Sequence, residues 1–235
     1  MERTYCTPET EAQSRTESPD HWSRYEWAAG YTAGKRVLDV ACGCGYGTAL
    51  LARRAGVRAT GLDINQEAVA WARHHFGREA DFETVDRAPW PLADASFDLV
   101  VSIETLEHVP RPEEFLAEVH RVLSPQGTLI LSTPCNETEE RFNPGNPFHL
   151  REYTWQELAE VLAPRFAIES RWSEVSDWNQ LQRSRLGLAV AALKRLLPSP
   201  VTRWLRTGMR GYRAGRILQG QHQPVKTQLV IATRR

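Results

Sequence analysis

A chain of 235 residues, 41% of them hydrophobic, can fill one complete α/β core with an insertion, so a single domain spanning 1–235 accounts for its length. Four cysteines, Cys6, Cys42, Cys44 and Cys135, are too few and too irregularly spaced for a disulfide framework, and no stretch approaches the roughly 18 apolar residues of a membrane span, so a reduced, cytoplasmic protein without a standard export signal is expected. The formal charge of zero conceals a split: residues 1–170 carry 16 Lys or Arg against 27 Asp or Glu, whereas residues 171–235 carry 13 against 2.

Residues 1–20, rich in Thr, Glu, Ser and Pro and without periodicity, are expected to form a flexible or loosely docked arm. From residue 36 onward, β-branched apolar runs alternate with helical patterns. Strands are expected near 36–41, 58–63, 81–85, 97–103 and 127–133, with helices near 46–55, 65–77 and 112–123 between them. Such alternation specifies a mostly parallel sheet covered on both faces. A helix near 154–163, a strand near 166–172 and a last strand over 228–233 complete the core.

Between the last two strands lie some fifty residues, 174–225, that read as a basic helical insertion. Leu186 to Leu197 is largely apolar, and Arg203, Arg206, Arg210, Arg213 and Arg216 recur at helical spacing. That pattern suits either a cap over an active site, with its arginines in solvent, or a helix over 186–218 lying peripherally on an anionic membrane.

Two features mark a ligand site. Val37-Leu-Asp39-Val-Ala-Cys-Gly43-Cys-Gly45-Tyr-Gly47 ends a strand in a glycine turn that opens a helix, letting backbone approach a ligand closely. About twenty residues on, Asp63 stands at the tip of the second strand, where a carboxylate can hold ribose hydroxyls. Farther along, Glu104, Glu107 and His108 are spaced to share one face of a helical turn, and His149 follows beside the same sheet edge. Two carboxylates and an imidazole would repel unless a cation sat among them. Without a metal, His108 or His149 would serve as general base.

On these residues the chain resembles the class I S-adenosylmethionine-dependent methyltransferases over roughly 21–172 and at the final strand. The resemblance implies a Rossmann-like fold of seven strands, mostly parallel with an antiparallel last strand, and S-adenosylmethionine as cofactor. It implies that Gly43 and Gly45 line the methionine part, Asp63 holds the ribose, Ile64 packs on adenine, Asp86 and Arg87 flank the adenine edge, and Asp39 and Ile103 belong to the cofactor site. His21-x-x-Arg24-Tyr25 is similar to a pattern of methyltransferases in bacterial saccharide pathways, where Arg24 or Tyr25 would reach the cofactor carboxylate. Glu-x-x-Glu-His with a later His-x-x-Glu is similar to the metal site of small-RNA 2′-O-methyltransferases. That similarity implies Glu104, Glu107, His108 and His149 as ligands of Mg²⁺ or Mn²⁺, although metal-free ubiquinone-type methyltransferases share the Glu-His pair.

The leading expectation is therefore O-methylation of a saccharide hydroxyl, on a small-molecule or lipid-linked acceptor. The alternatives are an RNA 3′-terminal 2′-O-methyltransferase, a quinone-type O-methyltransferase, and a catalytically idle scaffold that binds the cofactor. The basic C-terminal region could hold RNA phosphates, but no recognisable RNA-binding module accompanies it.

Overall fold

The computed structural model describes residues 5–137, 146–175, 216–220 and 227–235. In chain order the elements are α1 Glu11–Glu17, α2 Pro19–Ala29, β1 Arg36–Val40, α3 Tyr46–Ala52, β2 Arg58–Asp63, α4 Gln66–Phe76 and β3 Asp81–Thr84. They continue with β4 Phe97–Ile103, α5 Pro112–Val122, β5 Leu123–Pro134, α6 Trp155–Leu162, β6 Phe166–Val175, β7 Arg216–Gln219 and β8 Thr227–Arg234. Local chemistry sets the helix starts. Asn65 accepts from the Ala68 amide ahead of α4, and Thr154 forms a capping box with Glu157 ahead of α6. Pro112 opens α5, whose acidic first turn and basic last turn match the helix dipole.

The strands form one sheet in the order β3-β2-β1-β4-β5-β8-β6-β7. Neighbours from β3 through β5 pair in parallel, β8 is antiparallel to both β5 and β6, and β7 is antiparallel to β6. The expected seven strands are present. An eighth, β7, corrects the strand count and lies within the span expected to be a helical insertion. The rest of that insertion, 176–215 and 221–225, falls outside the described residues, as does nearly all of the segment 186–218 expected to meet a membrane.

Strand residues alternate between two buried layers. Leu38, Val100, Leu129 and Leu131 pack with α5 and α6, through Leu116, Val119, Leu158 and Leu162. Val37, Leu99, Val101 and Ile130 pack with α2, α3 and α4, through Trp22, Tyr25, Ala49, Val69 and Phe76. Among the described residues no helix is long and apolar enough to cross a membrane.

The N-terminal segment departs from the expected loose arm. Pro8–Thr10 forms a 3₁₀ turn running into α1. It docks because Cys6 is buried in the same layer as Trp22, the Trp22 indole N–H donates to buried Ser14, and Tyr5 packs edge-on against Trp71. Polar composition concealed a few well-placed anchors.

One buried ionic contact joins the two ends of the chain. The Arg24 guanidinium of α2 donates through Nε and Nη2 to Glu174 Oε2 on β6, at 3.1 and 2.5 Å, and through Nη2 to Thr227 Oγ1 on β8. Both charged side chains are buried. Removing one member of such a pair strands a charge, at a cost of about 3–5 kcal/mol, whereas apolar replacement of both is far milder. Urea denaturation of Arg24→Met should therefore show a loss in that range, largely recovered in Arg24→Met/Glu174→Leu. A single variant as stable as wild type would contradict the assignment.

Candidate active site at the switch of strand order

Strand order reverses between β1 and β4, and open parallel sheets bind ligands in the crevice that such a reversal creates beyond the strands' carboxyl ends. Here both chains leave their strands through left-handed residues: Ala41 follows β1 with φ 63° and Glu104 follows β4 with φ 50°. Neither is glycine, so each conformation is strained and is held by its surroundings. The Ala41 and Cys42 amides both donate to the Leu62 carbonyl, and the Glu104 amide donates to the Ser132 carbonyl.

The glycine turn separates two roles. At Gly45 a Cβ would lie 2.6 Å from the Ala72 Cβ and 2.9 Å from the Phe82 ring, so glycine is needed there for packing. At Gly43 (φ 55°) a Cβ would meet nothing within 4 Å. Its amide donates to Asp63 Oδ2 at 2.8 Å, while Asp63 Oδ1 accepts from the Asn65 amide, so the carboxylate is fixed at the rim of the turn. Ile64, next to it, is 70% exposed, an unusual state for isoleucine and one that suits a flat apolar partner. Asp86 and Arg87 are exposed in the loop after β3, and Ile103 is buried at the end of β4. Gly43, Asp63, Ile64, Asp86 and Arg87 thus sit at or near the strand tips expected to hold an adenosine.

Three of the residues expected to contact the cofactor lie behind the turn. Asp39 is fully buried beneath the turn and accepts from Tyr25 Oη at 3.2 Å and Thr48 Oγ1 at 2.6 Å; burial pushes its carboxyl up to about 7 despite those donors. Tyr25 is buried, and its ring occupies the space a Cβ at Gly47 would need. Arg24 is held by Glu174 and Thr227. These residues support the crevice from behind.

The reacting cluster is only partly as expected. After Glu104 the chain forms a 3₁₀ turn over Leu106–His108 instead of an α-helix, so helical spacing does not apply. Glu107, His108 and His149 converge: one ligand atom from each lies within 4.8 Å of the others. Glu104 stands apart, its carboxylate accepting from Ser132 Oγ at 2.9 Å and lying 3.4 Å from Arg24 Nη1, which corrects its expected place among the metal ligands.

Glu107 is buried. Its Oε2 accepts from Thr133 Oγ1, but its Oε1 has no hydrogen-bond partner among the described residues and lies 3.9 Å from His108 Nε2. Burial, then the nearby Glu104 charge, raises its carboxyl well above the usual range. His108 donates from Nδ1 to the Phe148 carbonyl at 2.7 Å, leaving Nε2 as the acceptor, and burial lowers its pKa. His149 donates from Nδ1 to Glu152 Oε1 at 2.7 Å, and its Nε2 accepts from Asn146 Nδ2. The two rings meet edge to face at 5.0 Å. The 146–151 segment is tied to the turn by the Leu150 and Arg151 amides, both donating to the Glu107 carbonyl. Sequence reasoning gave Glu152 no role beyond its place in the His-x-x-Glu motif and did not single out Glu174, whose contact with Arg24 has no local signal.

Residues 38–131 match a family model described as a methyltransferase domain. A Mycolicibacterium smegmatis protein named "Probable S-adenosylmethionine-dependent methyltransferase" is 39% identical over 153 residues, covering 61% of this chain and 58% of that protein. A ubiquinone biosynthesis O-methyltransferase of Idiomarina loihiensis is 40% identical over 106 residues, covering 43% of this chain and 42% of the other. The chain spans little more than half the length of the first curated relatives it matches. Among solved structures, a TehB-like S-adenosylmethionine-dependent methyltransferase of Corynebacterium glutamicum superposes with TM-score 0.60 at 16% identity, covering 97% of each chain. The cyclase SpnF superposes with TM-score 0.60 at 24% identity over 89% of this chain and 79% of that one. The architecture is the α/β Rossmann-like methyltransferase fold, and the SpnF likeness shows that this fold is not confined to proteins named methyltransferases.

The glycines give a direct test of which part of the turn faces ligand. Gly45→Ala should destabilise the fold by roughly 1–3 kcal/mol through overpacking. Gly43→Ala should cost only the strain of a left-handed alanine, about 1–2 kcal/mol, yet weaken S-adenosylhomocysteine binding at least about tenfold. Thermal unfolding and isothermal titration calorimetry separate the two; a folded Gly43→Ala with undiminished affinity would contradict the ligand-facing role.

Proposed function

We propose that this chain transfers a methyl group from S-adenosylmethionine to a hydroxyl of a saccharide, carried as a small molecule or on a lipid. The observation that carries a hydroxyl acceptor is the convergence of buried Glu107 with His108 and His149 at the carboxyl edge of the sheet. The matching methyltransferase-domain model and the relatives named S-adenosylmethionine-dependent methyltransferases support the cofactor.

Methyl transfer is an in-line displacement. The acceptor oxygen forms a bond to the methyl carbon, the carbon–sulfur bond breaks, and the electron pair stays on sulfur, leaving S-adenosylhomocysteine. Alignment supplies much of the acceleration, and a hydroxyl must lose its proton as it attacks. Asp63 and Ile64 orient the adenosine half, and the backbone at Gly43 admits the methionine half. The acceptor's proton passes to an imidazole, with His108 Nε2 suited because its Nδ1–H is committed to the Phe148 carbonyl.

The same residues fit a divalent cation, Mg²⁺ or Mn²⁺. Among the described residues Glu107 Oε1 is a buried carboxylate oxygen without a partner, and two imidazole nitrogens complete a three-ligand set. A cation held by Glu107, His108 and His149 would lower the pKa of the acceptor hydroxyl. In that case the two histidines act as ligands, oriented by the Phe148 carbonyl and by Glu152.

A quinone-type phenolic hydroxyl is the second reading, favoured by the relatives named ubiquinone biosynthesis O-methyltransferases. Transfer of tritium-labelled methyl groups to lipid-linked and nucleotide-linked sugars, catechols and RNA 3′ ends separates these readings. His108→Ala and His149→Ala should each lower transfer about 10²–10⁴-fold without changing S-adenosylhomocysteine affinity. Electron paramagnetic resonance with Mn²⁺ should show stoichiometric binding lost in both variants if a cation is held; undiminished transfer in both variants would overturn the proposal.

A further inference from the structure

The geometry points to Phe148 and Leu150 as an apolar lip that selects the acceptor, taking one in which an apolar chain is joined beside the hydroxyl to be methylated. This inference rests on the acceptor reading above and narrows it, from saccharides in general to those carried on an apolar chain.

Among the described residues, large apolar side chains are exposed at Tyr5, Ile64, Phe148 and Leu150. Tyr5 lies in the N-terminal segment against Trp71, and Ile64 stands beside Asp63 at the rim of the glycine turn. The other two, 50% and 56% exposed, flank His149 within one three-residue stretch. A single exposed apolar residue is ordinary, but apolar surface gathered beside a reacting cluster marks contact with a ligand.

Backbone contacts hold this stretch in place and leave the two side chains outside. The Phe148 amide donates to Asn146 Oδ1 at 3.0 Å, its carbonyl accepts from His108 Nδ1 at 2.7 Å, and the Leu150 amide donates to the Glu107 carbonyl at 2.8 Å. His149, between them, joins the cluster with Glu107 and His108. A hydroxyl brought to either imidazole therefore arrives with its flanking groups beside Phe148 and Leu150. Release of water from these side chains favours an apolar chain there, whereas a charged or hydroxylated neighbour would lose hydration against a surface that returns no hydrogen bond.

The test compares two sugars that differ only in the attached chain, octyl β-D-glucoside, kept below its micelle-forming concentration, and methyl β-D-glucoside. In saturation-transfer nuclear magnetic resonance titrations with S-adenosylhomocysteine present, wild-type protein should bind the octyl glucoside at least about tenfold more tightly. Phe148→Ser/Leu150→Ser should bring the two glucosides within about twofold of each other while S-adenosylhomocysteine affinity, which reports an intact fold, stays unchanged. Tyr5→Ser removes exposed apolar surface elsewhere and should keep the full preference, which separates the lip from general detergent binding. Equal or undetectable binding of the two glucosides by wild type, or a preference that survives the double variant, would overturn the assignment. A preference lost in the double variant, together with no methyl transfer to any sugar, would uphold the lip and sink the saccharide reading instead.

Discussion

The reversal of strand order between β1 and β4 is the constraint on which the rest of the molecule depends. Connections from β1 to β2 and β2 to β3 place α3 and α4 on one face of the sheet, whereas the connection from β4 to β5 places α5 on the other. No connection can then cover the gap above β1 and β4. The left-handed exits at Ala41 and Glu104 send the two chains out of their strands there. Glycine at 45 allows α3 to begin against Ala72 and Phe82, and glycine at 43 leaves its Cβ position open to a ligand.

The crevice is stiffened from behind by buried polar chemistry. Asp39 collects hydroxyl donors from α2 and α3, and Arg24 ties α2 to β6 and β8. Each contact joins segments that apolar packing alone would leave free to slide. Their cost is the desolvation of charge, visible in the raised carboxyl of Asp39. Glu107 is the exception: among the described residues one of its oxygens is buried without a donor, and an unpaired buried acceptor is maintained against a penalty of about 1–3 kcal/mol. Its place beside two imidazoles is where a proton, a hydroxyl or a cation would complete the set.

Much of this was legible locally. Apolar runs located the central parallel strands because β1 and β4 are buried on both faces, and the glycine turn with Asp63 was readable because both lie within one strand-helix-strand unit. The failures were non-local or conformational. Spacing placed Glu104 with Glu107 and His108 on the assumption of helical geometry; a left-handed residue followed by a 3₁₀ turn sent Glu104 toward Arg24 instead. The Arg24–Glu174 contact spans 150 residues and has no sequence signature. Strand β7 lay in a stretch of arginines at helical spacing, and it exists because β6 offers it an antiparallel edge over Trp172–Val175. The docked N-terminal helix was hidden by polar composition, since its anchors, among them Cys6, Ser14 and Trp22, are few.

The central claim is that the crevice between β1 and β4 holds the cofactor, with the Glu107, His108 and His149 cluster beside it. A crystal structure with S-adenosylhomocysteine bound tests this most directly. The account predicts adenine on Ile64, ribose hydroxyls on Asp63, the homocysteine chain passing Gly43 and the sulfur directed toward the two histidines. Ligand bound on another face of the sheet, or with its sulfur turned away from His108 and His149, would contradict it.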